Sequence, residues 1–256
     1  IGAGAIGVEF AYFWNAFGVE VHIFELQKHL LPIEDDDCSV ELEKAYKKYG
    51  IKMSLGIQKV EAKNNGKDVS ILVTENGAPK EYKFEMGLIA VGMTGNIEEL
   101  GLEKVGVKTD RGFISVNGMH QTSVPNIYAI GDVSGPPLLA HAASHEGVIA
   151  AEHLAGKHPH ALDKMNIPGC TYCQPQVAST GLTEKAAKEK KLDYKVGKFP
   201  FTAVGKAVAA GDTEGFVKII SDAKTGEILG VHIIGNEATE LIAEFGLAMN
   251  LEATID

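Results

Sequence analysis

Gly2-Ala3-Gly4-Ala5-Ile6-Gly7 is the stretch on which the reading of this chain turns. In a dinucleotide-binding fold the first glycine allows a tight turn, the second lets the backbone approach a pyrophosphate, and the third lets a helix pack on its strand. Amides at the helix start then face the phosphates. Three glycines at this spacing are a weak signal alone, so the neighbours decide. An apolar stretch of helical period runs from Ile6 to Phe17, a turn falls at Gly18, a strand-like run covers Val19 to Phe24, and Glu25 closes it 18 residues after Gly7. All three context tests of a dinucleotide site are therefore met.

Glu25 also selects the nucleotide. A carboxylate there accepts hydrogen bonds from ribose hydroxyls, whereas a 2′-phosphate about 4 Å away would cost up to ~4 kcal/mol per charge pair at an effective dielectric of ~20. That favours NAD over NADP. Leu26, Gln27, Lys28 and His29 follow it, with no arginine beside it and only Lys28 to favour a phosphate.

Organisation along the chain falls into three parts. Up to about Val91 the pattern alternates: glycine loop, helix, strand, helix Ser39 to Tyr49, strand Ile51 to Leu55. This βαβαβ order predicts a parallel sheet. Short strands around Val69 to Leu72 and Tyr82 to Phe84, with turns at Asn64-Asn65-Gly66 and Asn76-Gly77, predict an antiparallel meander. An apolar strand, Gly87 to Val91, follows. The second part has a turn at Asp110-Arg111-Gly112, a strand Tyr128 to Ile130 and a helix from Ala140 to Leu154. After Pro168 come a strand Gln176 to Ser179, a helix capped at Thr183, strands Phe216 to Ile220 and Ile228 to Ile234, and a final amphipathic helix, an α+β arrangement. The expected division is 1–92, 93–165 and 166–256.

The 256 residues are 45% hydrophobic with a formal net charge of -10 and a pI near 5.4. At about 150 residues per domain this is enough for roughly two cores. No basic stripe suggests nucleic acid, and no apolar run approaches the ~18 residues of a membrane helix. No signal peptide is visible. Three cysteines, Cys38, Cys170 and Cys173, are too few for a disulfide scaffold, so a reducing, cytoplasmic setting is expected. Cys170 and Cys173 form a single CxxC, readable as strand thiols, a metal site or a redox pair. Strand thiols are favoured, since one CxxC lacks a second pair. Cys38 reads as helix-start filler, and His22 and His232 as packing residues within strands. A phosphate loop is ordinarily delivered by a buried strand, and only Ile1 precedes Gly2, while the chain stops at Thr254-Ile255-Asp256 without a finishing element. Both ends are therefore expected to be boundaries of a fragment.

A second cluster is Asn126-Ile127-Tyr128-Ala129-Ile130-Gly131-Asp132-Val133. An apolar strand ending in Gly-Asp sets a carboxylate where such folds bind ligands, although a loop-capping aspartate would read the same way. Together with Gly2 to Gly7, it resembles the A-I-G-D signature by which flavoprotein disulfide reductases, the class I pyridine nucleotide-disulfide oxidoreductases, hold FAD. Leu138-Leu139-Ala140-His141 with Glu146-Gly147 resembles the loop and helix start beside the flavin in the dihydrolipoamide dehydrogenase (dihydrolipoyl dehydrogenase) branch. Ile228 to Gly235 resembles the central strand of that branch's interface domain, and Tyr172 to Gly181 its beginning.

The resemblance implies a Rossmann-like NAD-binding domain of the FAD/NAD(P)-binding fold, the remainder of an FAD domain, and an α+β dimerisation domain. It implies NAD contacts from Gly2, Ala3, Gly4, Ala5, Ile6, Gly7, Val8, Glu9, Glu25, Val60 and Gly92, with Glu9 approaching the nicotinamide side of the flavin. FAD contacts are implied for Asp132, Leu138, Leu139, Ala140 and His141. The implied reaction is oxidation of dihydrolipoamide through an active-site disulfide and FAD to NAD⁺, by a homodimer serving lipoyl domains of 2-oxo acid dehydrogenase complexes or related lipoyl proteins. Departures are clear. The family's Gly-Arg-x-Pro is replaced by Gly92-Met93-Thr94-Gly95, and neither the redox Cys-x4-Cys pair nor the catalytic His/Glu pair occurs in this chain. His158-Pro159-His160 only superficially matches the family's terminal His-Pro-His. No catalytic residue is therefore assigned, and the chain alone is expected not to turn over lipoamide. Another flavoprotein disulfide reductase, an NADH oxidase or an inert NAD-binding module are the alternatives.

Overall fold

The computed structural model describes residues 1–75 and 77–255. Two compact units emerge, one made of 1–92 with 168–256 and the other of 93–167.

The first unit opens with helix α1 (Ala5–Ala16), followed by strand β1 (His22–Glu25), helix α2 (Asp36–Lys48) and strand β2 (Lys52–Leu55). β1 and β2 pair in parallel, with Glu25 opposite Leu55. α2 forms because Asp35 caps it, its side chain accepting the Asp37 amide at 3.1 Å, and because acids at its start and Lys47 and Lys48 at its end suit the helix dipole. Its buried face, Cys38, Leu42, Ala45 and Tyr46, repeats at helical spacing. The Tyr46 hydroxyl donates to the Val8 carbonyl at 2.8 Å and ties α2 to α1.

An antiparallel meander follows: β3 (Lys59–Asn64), β4 (Val69–Glu75) and β5 (Ala78–Phe84). It is the predicted meander, with a first strand the sequence did not resolve; the predicted turn residue Asn76 lies outside the described residues. The expected strand from Gly87 to Val91 is not regular. Its ladder neighbour is Ile1, which it meets by two bonds, Ile1 N to Leu88 O and Ala90 N to Ile1 O, both 2.8 Å. One residue alongside is too short a partner to define a strand.

The 93–167 unit contains α3 (Leu102–Val105), the hairpin β6 (Thr109–Asp110) and β7 (Phe113–Ile114), and α4 (Ala140–Leu154). Arg111 and Gly112 both have positive φ, 47° and 85°, as a two-residue hairpin turn of this hand demands. The expected strand Tyr128 to Ile130 is reduced to an isolated bridge between Gln121 and Tyr128.

The remaining elements are β8 (Gly169–Thr171), β9 (Gln176–Gly181), α5 (Glu184–Glu189), β10 (Tyr194–Pro200), α6 (Gly205–Ala210), β11 (Gly215–Asp222), β12 (Ile228–Gly235) and α7 (Ala238–Asn250). The strands form one antiparallel sheet in the order β10-β11-β12-β9-β8. A single core runs from Ala3, Val8 and Ala11 through Leu42 and Tyr46 to Cys173, Val177, Phe216 and Ile234. Glycine loop and second sheet are thus packed as one body.

Candidate dinucleotide site

The loop is locked from behind. Gly2 has φ +97°, and a Cβ on it would collide with the Ala90 carbonyl; one on Gly7 would collide with the Gly2 carbonyl. These two glycines are required by the chain itself. Gly4 is different: its φ is -68°, open to any residue, and a Cβ there would meet nothing within 4 Å. The protein leaves that space clear, as a cradle for a closely approaching pyrophosphate requires. Gly4 is also the N-cap of α1 and offers no side-chain cap, so first-turn amides remain for an anion.

Glu25 stands at the end of β1 with both oxygens engaged. Oε2 accepts the Ala3 amide and Oε1 the Gln27 amide, each at 2.7 Å. Two backbone donors hold the carboxylate beside the loop, and each oxygen keeps acceptor capacity for a hydroxyl. Ala3 itself is fully buried, and its carbonyl accepts from Leu31 at 2.8 Å. Val8 is equally buried. Both serve the loop as packing, leaving Gly4, Ala5 and half-exposed Ile6 at the rim. Glu9 accepts the Tyr172 amide at 2.8 Å.

Val60 packs with Phe24, Ile57, Ile71 and Val73, directly behind the strand end that carries Glu25. Ile57 donates to the Glu25 carbonyl at 3.2 Å. Gly92 has φ +131° and an open Cβ direction, two residues beyond Ala90, which abuts Gly2. A cavity of about 290 Å³ borders Gly2 and Gly7 and is lined further by Ala11, Trp14, Ile23 and Leu88; Gly4, Ala5 and Ile6 do not line it.

In the 93–167 unit, Asp132 sits exposed on a single 3₁₀ turn, Gly131–Ser134. Leu139 is the N-cap of α4 and supplies no side-chain cap, and the helix opens at Ala140. The turn and the helix are brought together: a Cβ on Gly131 would lie 3.3 Å from that of Ala143, and one on Gly147 3.3 Å from Ile130 Cδ1. Glu146, which sequence reasoning noted only by resemblance, is nearly fully buried and accepts the Gly131 amide at 2.6 Å. A polar residue on the inner stripe of α4, at 142, 146, 149 and 150, was the available signal.

The remaining candidates are resolved by packing. β8 ends at Thr171, so of the two expected strand thiols Cys170 lies on a strand and Cys173 does not. Cys173 is buried with its thiol donating to Pro175 O at 3.1 Å, Cys170 is half-buried, and neither is disulfide-bonded. Burial raises both thiols, Cys173 to about 12, which makes them poor nucleophiles at neutral pH. Cys38 is fully buried in α2. His158 and His160 are exposed and outside regular structure. Among the described residues no cluster of three or more metal-ligating side chains occurs, and no helix is long and apolar enough to cross a membrane.

These features coincide with relationships to known proteins. Dihydrolipoyl dehydrogenases from Rhizobium etli, Zymomonas mobilis and Bacillus subtilis are 49%, 48% and 46% identical to this chain, each over 99% of it and over 53%, 55% and 54% of their own length. The chain spans about half the length of the curated relatives it matches. The crystal structure of LpdA from Mycobacterium tuberculosis superposes with a TM-score of 0.90 at 26% identity, covering 99% of this chain and 55% of that one. The HOCl-induced flavoprotein disulfide reductase RclA from Escherichia coli gives 0.86 at 27% identity, over 99% and 58%. Residues 167–256 match the dimerisation domain of the pyridine nucleotide-disulphide oxidoreductases. Since residues 1–147 match the pyridine nucleotide-disulphide oxidoreductase domain itself, the chain belongs to that family.

Proposed function

We propose that this chain supplies the NAD site, part of the FAD site and the dimer interface of an NAD-linked flavoprotein that oxidises dihydrolipoamide. The observation that carries the reading is the fixed carboxylate of Glu25, held by the Ala3 and Gln27 amides beside a loop whose Gly4 position is left open. In this reading 1–92 is the NAD-binding domain, 93–165 the remainder of the FAD domain and 166–256 the interface domain.

Gly4, Ala5 and Ile6 present backbone to the pyrophosphate, Glu25 takes the ribose hydroxyls, and Val60 and Gly92 border the adenine and ribose ends. Glu9 lies toward the nicotinamide. Asp132 and the 138–141 segment face FAD: an exposed carboxylate accepts hydroxyl donors, and the positive dipole end of α4 (Ala140–Leu154) suits an anionic or carbonyl edge. Bound FAD and NAD supply the electron and hydride transfer between dithiol and nicotinamide. The chain's residues bind and orient; no acid, base or nucleophile among them is assigned to the chemistry. The 46–49% identity to dihydrolipoyl dehydrogenases supports dihydrolipoamide as substrate, a homodimer as the active form and lipoyl domains as partners. Three unpaired thiols support a reducing, cytoplasmic compartment.

The test is NADH formation from dihydrolipoamide and NAD⁺ by the full-length, FAD-loaded protein. Turnover supports the proposal. The likeness to RclA favours a second reading, a flavoprotein disulfide reductase acting on another substrate; it gains if dihydrolipoamide is inert while NADH still reduces the flavin.

A further inference from the structure

Glu146 is the most deeply buried carboxylate of the 93–167 unit, at 1% exposure. A carboxylate taken out of water at that depth is costly unless donors compensate it. Its Oε2 accepts the Gly131 amide at 2.6 Å, with Ser134 Oγ 3.5 Å away and His120 Nδ1 3.9 Å away. The Ser134 hydroxyl donates its proton to the Gly131 carbonyl at 2.8 Å and closes the turn. The carboxylate thus holds the Gly131 end of the Gly131–Ser134 turn and borders its other end, and Asp132 sits between them.

The geometry is tight as well as polar. Gly131 has φ +70° and, with Gly147, leaves a Cβ-to-neighbour gap of only 3.3 Å between turn and helix. A short amide-to-carboxylate bond is charge-assisted and stronger than a neutral one. Glu146 rides on α4, whose first residues are the 138–141 segment. One buried carboxylate thus fastens the turn bearing Asp132 to the helix whose start forms the other half of the same proposed surface.

We propose that Glu146 is a positioning residue for the flavin site: it sets the direction of Asp132 by clamping the Gly131 amide. The inference rests on the reading of Asp132 as an FAD contact. Glu146 touches no cofactor itself.

The experiment follows FAD release from the full-length holoprotein by the fluorescence of free flavin. A charge-assisted bond of this class lost through Glu146→Ala should weaken FAD binding about tenfold or more. Glu146→Gln keeps an acceptor oxygen for Gly131 and should stay within about threefold of the parent. Glu146→Asp, which keeps the charge but withdraws it from Gly131, should fall between them and serves if the alanine variant does not fold. Introduced into Asp132→Ala, Glu146→Ala should add nothing, because its effect passes through Asp132. Additive losses overturn the proposal, as does wild-type affinity in Glu146→Ala when Asp132→Ala is weakened. If Asp132→Ala alone leaves FAD affinity unchanged, the reading of Asp132 fails first, and the inference with it.

Discussion

The carboxylate of Glu25 accepts the backbone amide of Ala3 at 2.7 Å across 22 positions of sequence. The acidic residue that ends the strand and the loop that opens the helix are therefore one unit. Glu25→Ala removes the proposed ribose acceptor and strands the buried Ala3 amide, at a cost of about 1–3 kcal/mol. NADH affinity should fall about tenfold or more, and the gap between NADH and NADPH should narrow. Titration of both nucleotides against the variant checks this; unchanged NADH affinity would remove Glu25 from the site.

The glycines separate structure from binding. Gly4→Ala has room for its Cβ and should cost no more than the ~1 kcal/mol of a poorer N-cap, yet weaken NADH by intruding on the pyrophosphate. Gly7→Ala has no room against the Gly2 carbonyl and should lower the melting temperature in the absence of nucleotide. Paired melting curves and NADH titrations distinguish the two, and equal stability losses would refute the assignment.

Lys218 is 2% exposed and its ammonium bonds Asp35 at 2.8 Å, Glu184 at 2.8 Å and Asp37 at 3.1 Å. Asp35 also accepts the Glu184 amide at 3.0 Å, so one carboxylate joins the starts of α2 and α5. Lys218→Met takes the ammonium from buried Asp35, while Glu184 keeps Lys188 and Asp37 keeps Lys198, and should cost about 3 kcal/mol at neutral pH. Hydrogen bonds from Lys188 and Lys218 hold Glu184 at about 2, down from 4.5. A lowered folded-state value means the unfolded chain protonates first. The stabilisation is complete above 4.5 and is lost as pH falls toward 2. Urea unfolding should show the gap between wild type and Lys218→Met narrowing over that window; a gap independent of pH would contradict the ionic account.

His22 stacks on Phe24 at 4.2 Å with Tyr82 and Phe84 around it. Burial drives its imidazole from 6.5 to about 4, against a partial pull upward from Glu75. Its titration by NMR should therefore have a midpoint near 4, with stability declining as pH drops from 6.5 to 4. A midpoint near 6.5 would mean that the aromatic cage is open to water.

What could be read in the sequence follows from where the forces are local. α4 was legible at its bounds because its apolar period and its flanks agree. The places of the glycine loop, ahead of α1, and of Glu25, at the end of β1, were legible because the helix and strand between them follow the local apolar pattern. β3 and β10 were not: their exposed residues, among them Lys59, Glu61, Lys63, Lys195 and Lys198, are the charged dress of edge strands and hide the alternation. Lys218 looked like one polar residue on a strand, and its partner Asp35 lies 183 positions away. Glu146 gave a local hint, a carboxylate on the buried stripe, but its partner turn could be identified only from the packing of Gly131 and Gly147.

The most direct test of the account is a comparison of NADH and NADPH binding to the full-length protein at equal ionic strength. With the Glu25 carboxylate fixed by the Ala3 and Gln27 amides at the proposed ribose position, charge repulsion of up to ~4 kcal/mol per pair predicts NADH binding tighter by two orders of magnitude or more. Equal affinities, or a preference for NADPH, would contradict it.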